Sequence, residues 1–213
     1  ENAIVLRLVG ATLRESVFSQ IQWAIDALGV SHLWSSKVSP LQFVYKPTGQ
    51  SIIFRGLDCA SKLKSIKPKK GYFSFIWFEE FAEIQSELLL RSVQQSVMRG
   101  GNDFIVFRSF NPPISRSNWA NAYVAEPRED SYRLHTNYAM IPVDWLGEQF
   151  INDAEHLKKT NERAYNHEYL GLAVGLGTNI FELLEIRTIT DEEIEKFQSV
   201  YQGQDWGWFP DPK

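Results

Sequence analysis

The sequence is poor in the features that mark secreted and membrane proteins. Cys59 is the single cysteine among 213 residues, so no intrachain disulfide can form, which is typical of a reducing cytosol. No apolar run reaches the roughly 18–20 residues that a membrane-spanning helix needs. The first residues lack the basic start and the long apolar stretch of a secretory signal. These absences argue against a disulfide-stabilised secreted domain and against a protein that crosses a bilayer.

Two kinds of binding site are also missing from the sequence. The four histidines show no metal-ligand spacing and have no cysteine nearby, so we expect no zinc site. The glycine-rich phosphate loop G-x-x-x-x-G-K-[ST] does not occur. Because the net charge is −4, the protein has no overall attraction for nucleic acid, and any contact with DNA must come from a local patch.

The residues that are present predict a globular α/β protein. Hydrophobic residues make up 44% and aromatic residues 14% of the chain, enough for a substantial core. A buried strand is expected at residues 4–9, a helix capped by Thr12 over residues 12–28, and a hairpin of strands at 41–45 and 51–55. Five tryptophans stand in apolar patterns and are predicted to be core residues. They are Trp23, Trp34, Trp77, Trp119 and Trp145.

The most informative pattern is a buried strand that ends in two acids. Residues 72–78 form a nearly continuous apolar run, and Glu79 and Glu80 follow it. A helix is predicted over residues 82–98, and the next strand, residues 103–110, ends at Asn111. Because this order implies a parallel sheet with a crossover helix, both acids and Asn111 should share the carboxyl edge, where α/β proteins bind ligands.

Two interpretations of this edge remain open from the residues alone. Adjacent acids suit nucleotide hydrolysis, since one can hold Mg²⁺ and the other can activate the attacking water, with the Asn111 amide sensing the γ-phosphate. The same acids are also typical of a strand that runs into a solvated helix N-terminus, where the helix dipole favours negative charge. Asn111, followed by two prolines, equally fits an ordinary turn.

Seven short motifs, taken in order, resemble the large terminase subunit of tailed phages and prophages, of the PBSX type. They are TLRESV at 12–17, IFRGLD at 53–58, KLKSI at 62–66, WFEE at 77–80, NPP at 111–113, YNHEYLG at 165–171, and DWG at 205–207 with DP at 211–212. The resemblance therefore extends over nearly the whole chain.

This resemblance implies a three-layer ASCE or RecA-like fold with a mostly parallel sheet and flanking helices. The implied domains are a partial ATPase domain over 1–138, a helical linker region over 139–198 and the first strand of an RNase H-like nuclease over 199–213. The implied protein is a DNA-packaging motor, in which Mg²⁺-dependent ATP hydrolysis drives DNA into a procapsid and an endonuclease cuts the concatemer.

The resemblance also implies roles for individual residues. Glu79 matches the Walker B acid on the metal side, Glu80 the catalytic glutamate, and Asn111 the motif that couples hydrolysis to movement. Asp205 matches the first metal-binding aspartate of a nuclease that uses two divalent ions. Since the phosphate loop is missing and one aspartate does not make a nuclease, we expect activity only of a full-length parent and not of this fragment by itself.

An arginine and a group of lysines complete the set of candidates. A ring motor can complete its site with an arginine from the neighbouring subunit, and Arg55 is the first choice for it, ahead of Arg14. A surface arginine paired with an acid is the other interpretation. A basic stretch precedes the strand at residue 72, and clustered positive charge suits either DNA contact or a solvated loop. Its members are Lys62, Lys64, Lys67, Lys69 and Lys70.

The implied partners are double-stranded DNA, a portal protein, the small terminase subunit and further copies of the chain in a ring, without a membrane. The implied cofactors are ATP and Mg²⁺, and the implied location is the cytoplasm of a bacterial host. One alternative is a non-catalytic assembly or binding module, or a decayed prophage remnant. A carbohydrate-active hydrolase is a further hypothesis, but neighbouring acids on a strand point to opposite faces, whereas a glycosidase needs two carboxyls facing one cleft.

Overall fold

The computed structural model describes residues 1–58, 66–175, 187–197 and 199. The chain divides into two compact units, residues 1–176 and 177–213. The first unit is built on a six-stranded sheet with helices packed on both of its faces, which confirms the predicted α/β class. In the second unit, the described residues include the short helix α7, Asp191–Ile194.

The sheet is mixed, with a parallel half that carries the predicted acids. The strand order is β2-β3-β4-β1-β5-β6. Strand β1 pairs in parallel with β4 and β5, and β5 pairs in parallel with β6, whereas β2-β3 and β3-β4 are antiparallel. The strands are β1 Asn2–Arg7, β2 Trp34–Val38, β3 Leu41–Tyr45, β4 Ser51–Gly56, β5 Phe73–Glu79 and β6 Ile105–Ser109.

A separate hydrophobic core covers each face of the sheet, because alternate residues of a strand point to opposite faces. On one face, which we call the α2 face, Leu6 and Phe78 are buried against helix α2, Glu87–Val97, and helix α3, Trp119–Ala125. On the other, the α1 face, Val5 is buried against helix α1, Val17–Ala27. The α1 face also buries an aromatic group in which the rings of Phe18 and Phe43 stack 4.3 Å apart and Phe54 meets both rings at their edges.

The connection after β1 differs from the prediction. A 3₁₀ turn, Gly10–Arg14, comes first, and α1 begins only at Val17. Thr12 is therefore not a helix cap, and its hydroxyl donates instead to the carbonyl oxygen of Val9 at 2.8 Å. The turn is anchored by Leu13, which is buried in the α1-face core and so fixes the chain before the helix starts.

The hairpin formed by β3 and β4 is confirmed, but β2 was missed by the sequence analysis. Strand β2 has only half-buried and exposed side chains, so it lacks the apolar alternation that marks a strand. Its pairing with β3 along the whole of its length gives it its conformation.

The helix after β5 starts later than predicted. A 3₁₀ turn, Phe81–Glu83, follows the two acids, and Ser86 caps α2 by accepting a hydrogen bond from the backbone N–H of Leu89. Phe81 is fully buried against Phe110 and Trp119, so the turn is held down on the α2 face before the helix can begin.

The N–H of Gly175 donates to the carbonyl oxygen of Ile114 at 2.7 Å, so the chain returns to the loop after β6 by way of three helices that follow α3. They are α4 Val143–Leu146, α5 Glu148–Thr160 and α6 Glu162–Glu168. Tyr138, Phe150, Tyr165 and Tyr169 form an aromatic group around them, and the Tyr138 and Tyr165 hydroxyls lie 2.8 Å apart. The hydrogen bond with Tyr165, together with burial, raises the pKa of Tyr138 to about 12. The domain boundaries at 138 and 198 remain predictions.

The expectation that all five tryptophans are core residues is wrong for two of them. Trp23 is 72% exposed on the outer side of α1, and Trp145 is 79% exposed on α4. Apolar residues lie near both of them in the sequence, but each tryptophan is at a helix surface that leaves most of its side chain exposed. Within the described ranges, no helix is long and apolar enough to cross a membrane.

Candidate active site

The structure brings the predicted acids and Asn111 to one edge of the parallel half of the sheet. Glu79 is the last residue of β5, where it pairs with Ser109, the last residue of β6. Glu80 follows directly, and Asn111 lies two residues beyond Ser109 and is exposed. Because β5 and β6 run in the same direction, their carboxyl ends meet here, as the strand order required.

Arg7 and Ser16 both contact the carboxylate of Glu79. Arg7 ends β1, the other neighbour of β5, and its Nη1 lies 3.3 Å from Glu79 Oε2. The hydroxyl of Ser16, directly before α1, donates to the same oxygen at 3.4 Å. The three side chains lie on the α1 face, and Glu79 Oε1 has no partner among the described residues.

Two opposing effects act on the charge of Glu79. Burial raises the pKa of its carboxyl above the ordinary value, and the neighbouring Glu80 raises it further. The Arg7 guanidinium and the Ser16 hydroxyl act in the opposite direction by stabilising the ionised form. Arg7 is therefore the principal counter-charge of a partly desolvated carboxylate.

A second acid holds Arg7 from the other side. Glu83 accepts two hydrogen bonds from the Arg7 guanidinium, from Nε at 3.2 Å and from Nη2 at 3.0 Å. This bidentate geometry is the stronger form of an arginine–carboxylate pair. It is also the principal reason why the pKa of Arg7 lies above its ordinary value.

Glu80 has an unusual backbone conformation. Its φ is +49° and its ψ is +50°, which makes it the one residue other than glycine with a positive φ in the part of the chain that the structure describes. A left-handed residue with a side chain costs roughly 1–2 kcal/mol, and such strain is concentrated at functional sites. Its carbonyl oxygen accepts a hydrogen bond from the Glu83 N–H at 2.8 Å, which stabilises the turn that follows.

Neighbouring side chains join β5 to β6 behind the acids. On the α1 face, the Trp77 indole N–H donates to the Ser109 hydroxyl at 2.8 Å. On the α2 face, the Arg108 guanidinium lies 5.8 Å from the centre of the Phe81 ring and 5.4 Å from that of Tyr123, so it connects β6 to the turn after Glu80. Burial lowers the pKa of Arg108, and its buried Nε has no hydrogen-bond partner among the residues that the structure describes.

The two candidate arginines lie apart from the acids. Arg55 is near the end of β4, where it pairs with Leu6, and so it lies on the α2 face, opposite Arg7 and Glu79. Its Nη1 donates to the carbonyl oxygen of Phe54 at 2.7 Å, and burial lowers its pKa. Arg14 is exposed in the turn between β1 and α1.

The basic stretch lies at the opposite edge of the sheet. Lys67, Lys69 and Lys70 are exposed before the start of β5, and the carbonyl oxygen of Lys70 accepts a hydrogen bond from the Asn2 side chain at the beginning of β1. The length of β5 therefore separates these lysines from the acids. Lys62, Lys64 and Asp205 lie outside the described residues.

The carboxylates at the carboxyl edge of β5 suit Mg²⁺ better than a metal ion whose ligands all come from protein side chains. Among the described residues there is no group of three or more His, Cys, Asp or Glu side chains that could hold a metal ion. Mg²⁺ keeps several waters and commonly takes only one or two carboxylates together with substrate phosphates. Because Arg7 and Ser16 both contact Oε2 of Glu79, its Oε1 can supply one such carboxylate oxygen.

Sequence analysis did not find Arg7, Ser16 or Glu83. Arg7 directly follows the fully buried Leu6, and a charge at the end of a buried strand is a usable signal for an edge site. Ser16 and Glu83 carry no such signal, because they reach Glu79 and Arg7 only through the packing of α1 and of the turn after β5.

Comparison with known proteins identifies the family. Residues 1–172 match the family described as phage terminase large subunit. The chain belongs to that family. The terminase large subunit of Bacillus phage SPP1 is 41% identical over 217 residues, which cover 98% of this chain and 51% of the SPP1 protein. The chain thus spans about half the length of this terminase.

Solved terminase structures share the fold. The large terminase of a thermophilic bacteriophage, in complex with ADP, has a TM-score of 0.54 at 17% identity, covering 82% of this chain and 40% of that one. The large terminase ATPase domain of Thermus phage P74-26 has a TM-score of 0.50 at 9% identity, covering 80% of this chain and 76% of that domain. The RecA-like fold that the terminase resemblance implied is therefore confirmed.

Proposed function

We propose that this terminase chain is part of the ATP-hydrolysing domain of a phage DNA-packaging motor. The observation that carries the proposal is the meeting of Glu79, Glu80 and Asn111 at one carboxyl edge, in a fold shared with a phage large terminase that is known in complex with ADP. Parallel α/β sheets bind nucleotides at this edge. The fold and the family support an ATPase, and the roles of the individual residues are part of the proposal.

Each residue at the edge has a distinct task in this proposal. Glu79 holds Mg²⁺, which would neutralise charge on the phosphates when bound. Glu80 accepts a hydrogen bond from the attacking water and so orients it toward the γ-phosphate. Its left-handed backbone turns the chain sharply away from β5, so that its side chain need not follow the strand alternation that Glu79 obeys. Asn111 reports the state of the nucleotide from the neighbouring strand.

In this proposal the phosphate loop is supplied from outside these 213 residues, which contain no such motif. Among the described residues no strand pairs with the outer edge of β6, and this edge, with the exposed part of the α1 face beside it, suits the segment that brings the loop. There, Phe75, Ile105 and Phe107 are 40%, 52% and 53% exposed, an unusual apolar surface for the face of a parallel sheet. This surface leads along β5 and β6 to Glu79 and Ser109.

The proposal extends to the partners and the remaining activities of the large subunit. We propose that double-stranded DNA, a portal protein, the small terminase subunit and further copies in a ring are its partners, in the cytoplasm of a bacterial host. Arg55 would complete the site of a neighbouring copy, with the guanidinium donors that the Phe54 carbonyl does not use. Lys67, Lys69 and Lys70 would contact DNA from the edge opposite the acids. The two-metal nuclease, with Asp205, belongs to the same proposal.

A single substitution tests the ATPase assignment. In the full-length large subunit that carries these residues, we expect Glu80→Gln to abolish DNA-stimulated ATP hydrolysis while a fluorescent ATP analogue still binds. Glu87→Gln, which neutralises an exposed acid on α2, is the matched control and should retain turnover. Normal turnover in Glu80→Gln would refute the catalytic role. Partner binding without any nucleotide binding in the unmodified subunit would favour the non-catalytic assembly module.

A further inference from the structure

Arg7 lies between two carboxylates that hold it unequally. Glu83 receives both Nε and Nη2 in a bidentate pair at 3.2 and 3.0 Å, whereas Glu79 receives one longer contact from Nη1 at 3.3 Å. A guanidinium presents its donors in a fixed planar fork, so the carboxylate that takes two of them decides its orientation. Glu83 therefore orients Arg7, and the contact with Glu79 is secondary.

We propose that Glu83 is a positioning residue, which binds the fork of Arg7 and thereby prevents Arg7 from closing on Glu79 and competing with the metal ion. The proposal rests on the proposed function, in which Glu79 holds Mg²⁺. In this arrangement, a residue four positions further along the chain controls whether Glu79 is available to the metal ion.

The charges at the site give the physical reason. With both acids present, Arg7, Glu79 and Glu83 together carry one net negative charge, and the single contact with Arg7 occupies only Oε2 of Glu79. Without the Glu83 charge, Arg7 and Glu79 become a neutral pair that is free to form its own bidentate contact. A divalent cation would then have to displace the guanidinium from Glu79, which weakens its binding.

Burial makes this competition effective. The side chains of Arg7 and Glu79 are 16% and 14% exposed, so water screens their attraction less than it does for a surface pair. Glu83 is 38% exposed, and its removal leaves no buried acid without a partner. If substitution of Glu83 changes metal binding, the cause would therefore be the movement of Arg7 and not a loss of core packing.

The turn that carries Glu83 is fixed by the backbone. It begins at the left-handed Glu80, whose carbonyl oxygen accepts the N–H of Glu83, and it is anchored by the fully buried Phe81. This geometry returns the chain from the end of β5 toward the end of β1, which brings Glu83 to Arg7. The strained residue and the positioning residue thus belong to one turn.

Direct metal binding tests the proposal. In the full-length large subunit, Mn²⁺ binding in the presence of a non-hydrolysable ATP analogue is followed by electron paramagnetic resonance of the free ion. We expect Glu83→Gln to raise the Mn²⁺ dissociation constant about threefold to fivefold, the size of a partly screened charge pair. In an Arg7→Gln background, the same substitution should have no further effect. Glu87→Gln, which removes a nearby exposed charge, should leave the constant unchanged.

A second variant and the thermal unfolding midpoint distinguish an effect on folding from an effect on the position of Arg7. Glu83→Asp keeps the charge but shortens the side chain, and we expect a smaller rise in the dissociation constant with an unaltered midpoint. An unchanged constant in Glu83→Gln, or an equal rise with and without Arg7, would overturn the inference while leaving the ATPase proposal standing. Absence of Mn²⁺ binding to the unmodified subunit would overturn both.

Discussion

Gly10 and Gly56 meet backbone to backbone at the carboxyl edge of the sheet. A Cβ on Gly56 would lie 2.6 Å from both N and Cα of Gly10 and 2.5 Å from Oδ1 of Asp58. The contact closes the loop after β1 onto the end of β4, where the N–H of Leu57 donates to the carbonyl oxygen of Arg7 at 2.9 Å. The glycine pair thus supports the end of β1, from which Arg7 reaches Glu79 and Glu83.

This contact predicts a large loss of stability for Gly56→Ala. The added methyl group overlaps with backbone atoms that cannot turn aside, and overpacking of this kind costs about 3 kcal/mol. Chemical denaturation followed by tryptophan fluorescence measures the free energy of unfolding. Gly10→Ala is the graded comparison, because its Cβ would lie 3.1 Å from Gly56 Cα and requires a smaller shift. Equal stabilities of the two variants would contradict the contact.

The left-handed conformation of Glu80 predicts which replacement is tolerated. Glycine adopts a positive φ without steric cost, whereas alanine retains the strain, so Glu80→Gly should be about 1 kcal/mol more stable than Glu80→Ala. Both variants lose the carboxylate, and their difference therefore isolates the backbone. An alanine variant as stable as the glycine variant would show that Glu80 is not strained.

The burial of Glu79 predicts a pH dependence of stability. Its raised pKa means that the folded protein holds the proton more tightly than the unfolded chain does, so the stability it contributes is present below the ordinary value of 4.5 and is lost as the pH rises through the raised pKa. The Glu79→Gln variant has no carboxyl to ionise at this position, so it does not lose this stability. We expect the free energy of unfolding of the variant to rise relative to that of the unmodified protein as the pH increases from the ordinary value of 4.5 through the raised pKa of Glu79. A difference independent of pH would refute the effect of burial.

Two tryptophans with contrasting environments form a matched pair. Trp119 packs 5.0 Å from the centre of the Phe81 ring, and its indole N–H donates to the carbonyl oxygen of Ile84 at 2.8 Å. Trp119→Phe leaves that carbonyl without its donor, and we expect a loss of about 1–2 kcal/mol in the free energy of unfolding. Trp145→Phe, on the exposed surface of α4, should change it by less than about 0.5 kcal/mol. Equal losses would contradict the assignment of Trp119 to the core.

Local patterns were sufficient where the sequence is regular. The apolar run that ends at Glu79 predicted the strand β5, which is present over Phe73–Glu79. Patterns failed where packing overrides local preference. Thr12 resembles a helix cap, but the burial of Leu13 forces a 3₁₀ turn first. The polar β2 is a strand only because β3 pairs with it.

The sequence by itself determined that the two acids come at the end of a parallel strand and that Asn111 follows the next strand. The sequence is sufficient for this because hydrophobic periodicity and the order of the strands depend only on residues that are close together along the chain. Only the tertiary structure decided that Arg7 and Glu83, 76 positions apart, form a bidentate pair beside Glu79. Such contacts depend on the strand order β1-β5 and on a turn fixed by buried side chains, and neither leaves a local pattern in the sequence.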